Sequence, residues 1–138
     1  MERMLLVYTT FPDAPTALSV GEALVRARLA ACVNVLPDMQ SVYSWNGAVE
    51  RATEVVAILK SREGLAEALG AALKQRHPYE TPIILHLPVI DADPDTAAWI
   101  VAETRAHSDE VDAGSSKECA AKQDLRDADL MQSGRIRL

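Results

Sequence analysis

An Asn-Gly pair at positions 46 and 47 joins two segments in which apolar and polar side chains alternate. Both residues tolerate the positive φ angles of a type I′ turn, so Asn46-Gly47 predicts a β-hairpin. One strand is predicted over 41–45, and the other runs back over 48–60 and ends in an apolar run. The second strand is much longer than the usual length of about five to six residues. Because natural proteins cover overhanging strand edges, often with another subunit, this hairpin predicts an oligomer.

The segments around the hairpin alternate between strand-like and helix-like patterns. Further strands are predicted over 4–9, 31–36 and 83–89, and Pro37-Asp38 is expected to end the second of these. Helices are predicted from the Asp13 cap to about Ala30, from the Ser61 cap to Arg76, and from Asp93-Pro94 to about Ala106. The order is β-α-β-β-α-β with an extra C-terminal helix. It indicates an α+β, ferredoxin-like split β-α-β sandwich with two helices on one face of an antiparallel sheet.

The segment Arg76-His77-Pro78-Tyr79-Glu80-Thr81-Pro82 connects the second helix to the last strand. Its prolines fix two φ angles, remove two backbone donors and disfavour the helical conformation at the residue before each of them. The connection is therefore predicted to be stiff and extended, and it gathers a guanidinium, an imidazole, a phenol and a carboxylate. Such side chains either hold a ligand in a fixed geometry or face water beside a helix stop.

Length and charge limit the function classes. A chain of 138 residues fits one domain, predicted over 1–107, followed by a polar tail over 108–138 that is either disordered or a weak helix. A net charge of −6 argues against nucleic-acid binding. No segment approaches the ~18 apolar residues of a membrane span, and the first apolar run is too short for a secretory signal. Two cysteines without a C-x-x-C spacing fit a reduced, cytoplasmic protein.

Six short motifs occur in order between about residues 4 and 104. They are Ala27–Asn34, Tyr43–Gly47 with Glu50, Ile58–Lys60, His77–Pro82, Leu87–Val89 and Trp99-Ile100. In this order and spacing the chain resembles the CutA-type divalent-cation (copper) tolerance family. The resemblance implies a ferredoxin-like fold assembled as a tight trimer, with the long hairpin reaching neighbouring subunits. It also implies a role in tolerance of copper or other divalent cations, and a likeness to the PII signalling trimers, which bind small effectors between subunits.

Three positions depart from the family's pattern. The family has a Cys just after the first strand and a His-His pair before Pro-Tyr, whereas this chain has Tyr8-Thr9-Thr10 and Arg76-His77. Ala97 stands where the family has a Tyr in the last helix. Copper and zinc prefer three or four nitrogen or sulfur ligands. The candidate ligands that remain are His77 and Glu80, and three copies around a trimer axis could complete a site.

Aromatic residues make up only 4% of the chain, and they concentrate at the hairpin and the stiff connection. Aromatic side chains with a few charges line ligand pockets and also anchor subunit interfaces. The candidate ligand-binding or interface residues are Tyr43, Trp45, Glu50, Lys60, Arg76, Tyr79 and Glu80. One interpretation makes the aromatics trimer anchors beside a Lys60–Glu80 ion pair. The other makes them the walls of an inter-subunit cleft in which Lys60 and Arg76 bind a small anion.

No common catalytic motif is present, since the chain lacks Gly-x-Ser-x-Gly, P-loop and His-Glu-x-x-His patterns. Cys32 lies in an apolar strand, where no sequence neighbour supplies the positive charge that activates a thiol. The sequence therefore predicts a non-catalytic cytoplasmic homotrimer that responds to divalent metal ions, with copper or another divalent cation as its ligand. The alternative is a PII-like trimeric signalling protein that binds a small anionic effector between subunits, without nucleic acid or membrane as a partner.

Overall fold

A computed structural model of the chain describes residues 2–106. The elements are β1 (Met4–Phe11), α1 (Ala14–Arg26), β2 (Cys32–Trp45), β3 (Ala48–Arg62), a 3-10 turn (Glu63–Leu65), α2 (Ala66–Arg76), β4 (Ile84–Pro88) and α3 (Pro94–Glu103). The predicted β-α-β-β-α-β order with a third helix is confirmed. The predicted tail over 108–138 lies outside the described residues. None of the helices within 2–106 has the length and apolarity needed to cross a membrane.

The four strands form one antiparallel sheet in the order β2-β3-β1-β4. β1 pairs with β3 from Met4↔Arg62 to Phe11↔Val55, so β3 continues beyond the end of β1. The outer part of the hairpin, residues 39–54, consists of β2 and β3 alone and is called the ribbon below. The predicted overhang of the hairpin is therefore present in the fold.

Two local predictions about the hairpin are wrong. β2 is not ended by Pro37-Asp38 but continues to Trp45, with Asp38 at φ 60 and a register shift between Leu36 and Met39. A bulge accommodates a proline because the local ladder is already interrupted there. Ser61 does not cap α2. It lies buried near the end of β3, and its hydroxyl donates a hydrogen bond to the Leu29 carbonyl oxygen at 2.8 Å.

One face of the sheet is buried under α1 and α2. Odd-numbered residues of β1 and β3 point toward these helices and form the main core with helical leucines; these core residues include Leu5, Val7, Phe11, Val55, Ala57, Leu59, Leu24, Leu69 and Leu73. Gly21 lets α1 approach β2 closely, since a Cβ atom there would lie 3.0 Å from Cγ1 of Val33. This face therefore has a closely packed helix layer.

The opposite face of the sheet is called the open face below. It carries the even-numbered residues of β1 and β3 and their neighbours on the outer strands; those residues are Leu6, Tyr8, Leu36, Val56, Ile58, Lys60, Leu85 and Leu87. Within residues 2–106, α3 packs at one end of this face, where Ile100 clusters with Met4 and Ala31. Leu85 remains 54% exposed and Leu87 45% exposed. A single copy of the described chain thus leaves an apolar sheet face largely uncovered.

Candidate functional site at the root of the ribbon

His77 lies directly after the last turn of α2 and is buried against the end of β1. Its ring stacks on Phe11, with centroids 4.3 Å apart and planes 11° from parallel. The Tyr79 N–H donates to Nδ1 at 3.1 Å. Nε2 lies 2.8 Å from the Thr10 carbonyl oxygen and 3.2 Å from Oγ1 of Thr9. Because Nδ1 accepts a hydrogen bond and the carbonyl can only accept, the ring is the neutral tautomer with its proton on Nε2.

The surroundings of His77 keep the imidazole neutral. Burial lowers its pKa below the usual 6.5, while the hydrogen bond to Thr10 and the charge of Glu54 oppose that shift more weakly. Desolvation disfavours the charged form of a base, which explains the direction. In this form neither ring nitrogen has a free lone pair. His77 therefore fixes the direction of the connection that follows α2.

Tyr79, the next anchored residue, reaches from this connection to the ribbon. Its hydroxyl donates to Oε2 of Glu54 at 2.7 Å, and the hydroxyl of Ser41 donates to Oε1 at 2.9 Å. Burial raises the pKa of Tyr79, and the hydrogen bond and charge of Glu54 raise it further. Glu54 therefore joins the stiff connection to β2 and β3 at the root of the ribbon, and its two hydrogen-bond donors are both neutral hydroxyls.

The predicted residues of the hairpin lie farther out along the ribbon. Tyr43 and Glu50 are cross-strand partners, and hydrogen bonding to Glu50 raises the pKa of Tyr43. Trp45 lies opposite Ala48 at the end of the ribbon and is 50% exposed. On β3, Glu50 and Glu54 continue the even-numbered positions of the open face. The aromatic face of the ribbon and the open face are thus one continuous surface.

The structure does not bring Lys60, Arg76 and Glu80 together within one chain. Lys60 is in register with Leu6 and Cys32, whereas Arg76 ends α2 beside His77, which contacts Thr10. The four steps from position 6 to position 10 of a strand span about 13 Å. No Lys60–Glu80 ion pair occurs within the described part of the chain. An anion site with Lys60 and Arg76 stays a prediction that needs two subunits.

The predicted metal ligands are not arranged as a metal site in one chain. Residues 2–106 contain no group of three or more His, Cys, Asp or Glu side chains that could hold a metal ion. His77 has both ring nitrogens engaged, and Glu80 is exposed. The ligand role of His77 and Glu80 stays a prediction, and it requires the imidazole to leave its present partners.

Two features of the site escaped sequence reasoning. Glu54 was missed because an acid in an alternating strand resembles an ordinary solvated position. Counting the register back from Asn46-Gly47 places Glu50 and Glu54 on the ribbon face that carries Tyr43, and that count would have found it. The other feature is the position of Lys60 as the cross-strand partner of Cys32, which strand register determines and the sequence neighbours of Cys32 do not show.

Comparisons with known proteins agree on one family. The family described as CutA1 divalent ion tolerance protein matches residues 5–103. The divalent-cation tolerance protein CutA of Pyrococcus horikoshii is 43% identical over 102 residues, which cover 74% of this chain and 99% of that protein. The protein of the same name from Pectobacterium atrosepticum is 41% identical over 101 residues, which cover 73% of this chain and 92% of that protein.

A solved structure gives the same result for the fold. The crystal structure of the divalent ion tolerance protein CutA1 from Ehrlichia chaffeensis superposes with a TM-score of 0.73 at 29% sequence identity. The alignment covers 77% of this chain and 99% of that structure. Sequence, fold and the length of the match therefore agree, and the chain belongs to the CutA1 divalent ion tolerance protein family.

Proposed function

We propose that this chain acts in divalent-cation tolerance as a non-catalytic protein that works as a homotrimer. The tolerance role is supported by relatives that carry that name and match over nearly their whole length. The name of these relatives describes tolerance and no reaction, which supports a non-catalytic role. The observation that carries the assembly is the open face with its attached ribbon.

A lone ribbon is a weak structure in water. A two-stranded hairpin is marginally stable by itself, because it has neither a second layer nor paired edges. Here the ribbon exposes Tyr43 and Trp45, and the open face beside it exposes Leu85 and Leu87. Burying such apolar side chains contributes roughly 25 cal/mol per Å². Further copies of the chain, packed on this surface, would cover the open face and support the ribbon.

Sedimentation equilibrium tests the assembly directly. We expect a single species with three times the chain mass of 15.0 kDa at micromolar concentrations. A stable monomer would overturn the assembly while leaving the family assignment intact.

The tolerance role has its own test: expression in a CutA-deficient bacterial strain should restore growth at inhibitory concentrations of Cu²⁺ or Zn²⁺. Equal growth with and without the gene contradicts that role.

We also propose that the protein binds a divalent cation directly, copper included. Isothermal titration of the assembled protein with Cu²⁺ should give micromolar binding. Because both ring nitrogens of His77 are already hydrogen-bonded, we expect His77→Ala to leave the isotherm unchanged. We expect the same of the control His86→Ala. Loss of binding in His77→Ala alone would restore His77 as a ligand, and no heat in the wild-type protein would remove direct binding from the proposal.

We also place the protein in the cytoplasm as a proposal. The chain has two cysteines and no C-x-x-C spacing, which fits a reducing compartment. Fractionation of cells that express the natural gene at its natural level is the check. Recovery of the protein with a periplasmic or secreted marker would contradict this location.

A further inference from the structure

The open face and the ribbon carry opposite charges at opposite ends. Lys60 lies near one end of this surface, in register with Leu6 and Cys32. Glu54 lies at the root of the ribbon, with Glu50 farther along the same face. The side chains between Lys60 and Glu54 on this face of β3 are Val56 and Ile58. Arg62, which follows on the same side, is already bound to Glu2 and Thr104.

These charges cannot meet inside one chain. Glu54 and Lys60 are six positions apart on one continuous strand, which corresponds to about 20 Å. A lysine side chain reaches only about a third of that distance. Within the described residues, no ion pair joins Lys60 to Glu80, its predicted partner. Any ion pair between Lys60 and Glu54 must therefore come from two different copies.

Covering of the open face by another copy would favour such a pair. If another copy packs on Val56 and Ile58, the adjacent carboxylate of Glu54 loses much of its water. A buried charge is costly unless it is paired and hydrogen-bonded. Tyr79 and Ser41 supply hydrogen bonds to Glu54 but no positive charge. A cation on the covering subunit would supply this counter-charge.

Ring symmetry selects the partner. In a cyclic trimer each interface is heterologous, so that one part of the surface of one copy meets a different part of the surface of the next. A surface with a cation at one end and carboxylates at the other is complementary to itself in that arrangement. We propose that Lys60 of one copy binds Glu54 of the next copy, so that three equivalent ion pairs close the ring. This inference rests on the proposed homotrimer.

A charge swap tests the pair. Lys60→Glu and Glu54→Lys should each raise the concentration for half-dissociation of the trimer by roughly tenfold or more at low salt, since close interfacial charge pairs show large coupling energies. The double variant carries both changes and recreates each pair with reversed charges, so it should recover most of the loss. Because the two residues are about 20 Å apart in one chain, this recovery can come only from contact between copies.

Controls separate folding from assembly. Glu67→Lys on the exposed surface of α2 changes the net charge as much as Glu54→Lys and should leave dissociation unchanged. The neutral pair Lys60→Met and Glu54→Gln covers the case in which a reversed charge prevents folding: the single changes should weaken the trimer and show coupling in the double variant. A monomeric wild-type protein overturns the homotrimer itself. A wild-type trimer with additive single effects overturns only the Lys60–Glu54 pair.

Discussion

At the scale of single residues, His77 links the helix layer to the root of the ribbon. Its neutral ring stacks on Phe11, is anchored at β1 through Thr10, and accepts the N–H of Tyr79. Tyr79 then holds Glu54. A change of protonation at His77 would place an N–H on Nδ1 against the N–H of Tyr79. Protonation of this buried ring would therefore disturb the connection that carries Tyr79.

The free energy of unfolding should fall as the pH drops from 7.5 to 5.5. Burial lowers the pKa of His77 in the folded protein below its usual 6.5, so the unfolded chain binds the proton first. The contribution of neutral His77 to the free energy of unfolding is complete above about pH 6.5 and is lost as the pH falls through the pKa of the folded protein. Urea unfolding at one fixed protein concentration measures the slope, and His77→Gln should flatten it. The same slope in His77→Gln, or a flattened one in the control His86→Gln, would contradict this account.

Removing the hydroxyl of Tyr79 tests the other half of the link. Tyr79→Phe should lower the free energy of unfolding by about 1–2 kcal/mol, because it deletes a hydrogen bond to a charged carboxylate. Tyr43→Phe removes a phenol of the exposed ribbon and should cost less in the same urea titration. If the free energy of unfolding falls equally in both variants, the Tyr79–Glu54 hydrogen bond stabilises the fold no more than a phenol of the exposed ribbon does.

Sequence predicted the chemistry of these residues better than their contacts. The two prolines correctly indicated that α2 ends before Pro78, with extended backbone at His77, because a proline acts on its own backbone and on its neighbour. The direction of the His77 ring depends on Phe11 and Thr10, more than sixty positions earlier in the chain. No local pattern carries that information. The metal-ligand hypothesis for His77 shows the consequence, since a side chain that seemed available is already bonded at both nitrogens.

At the scale of elements, α1 lies close to the sheet because of a single glycine. A Cβ atom at Gly21 would lie 3.0 Å from Cγ1 of Val33 and within 3.2 Å of the other branch atoms. Gly21→Ala gains about 1 kcal/mol in helix propensity but forces α1 away from β2, and overpacking typically costs about 1–3 kcal/mol. We expect a net loss of about 1 kcal/mol by urea unfolding.

The double variant Gly21→Ala/Val33→Ala is the check on that cause. Val33→Ala removes the branch that the new methyl group would contact, so the two changes should be strongly coupled. In the Val33→Ala background, Gly21→Ala should become neutral or stabilising. Additive effects would show that the close approach of α1 to β2 does not determine the cost.

Element types followed from periodicity, but two boundaries did not. Asp13 caps α1 as expected, because its side chain accepts from the Thr16 N–H. Ser61 is also a preferred helix N-cap residue type, yet β3 extends through it because β1 supplies a partner strand as far as Arg62. The Pro37-Asp38 pair similarly became a bulge inside β2. Pairing with a distant strand overrode the local signal at both positions.

At the scale of the whole molecule, the open face was predictable only in part. The long hairpin predicted an uncovered surface, because β2 and β3 are longer than β1. The sequence could not show which sheet face the helices cover, because β1 and β3 have apolar residues at both odd and even positions. The structure settles this by placing α1 and α2 on the odd-numbered side. The even-numbered side stays largely uncovered in a single chain, as the proposed homotrimer requires.

Two exposed apolar residues provide a matched test of that surface. Leu87 lies on the open face and is 45% exposed, whereas Ile90 lies after β4 and is 96% exposed. If solvent exposure of apolar groups alone drove association, Ile90→Asp would have the larger effect. If the open face is the interface, Leu87→Asp places a carboxylate in an apolar contact, a costly change unless it finds a partner. We therefore expect Leu87→Asp to raise the half-dissociation concentration by roughly tenfold or more in sedimentation equilibrium, and Ile90→Asp to leave it unchanged. Dissociation by Ile90→Asp alone would move the interface away from the sheet.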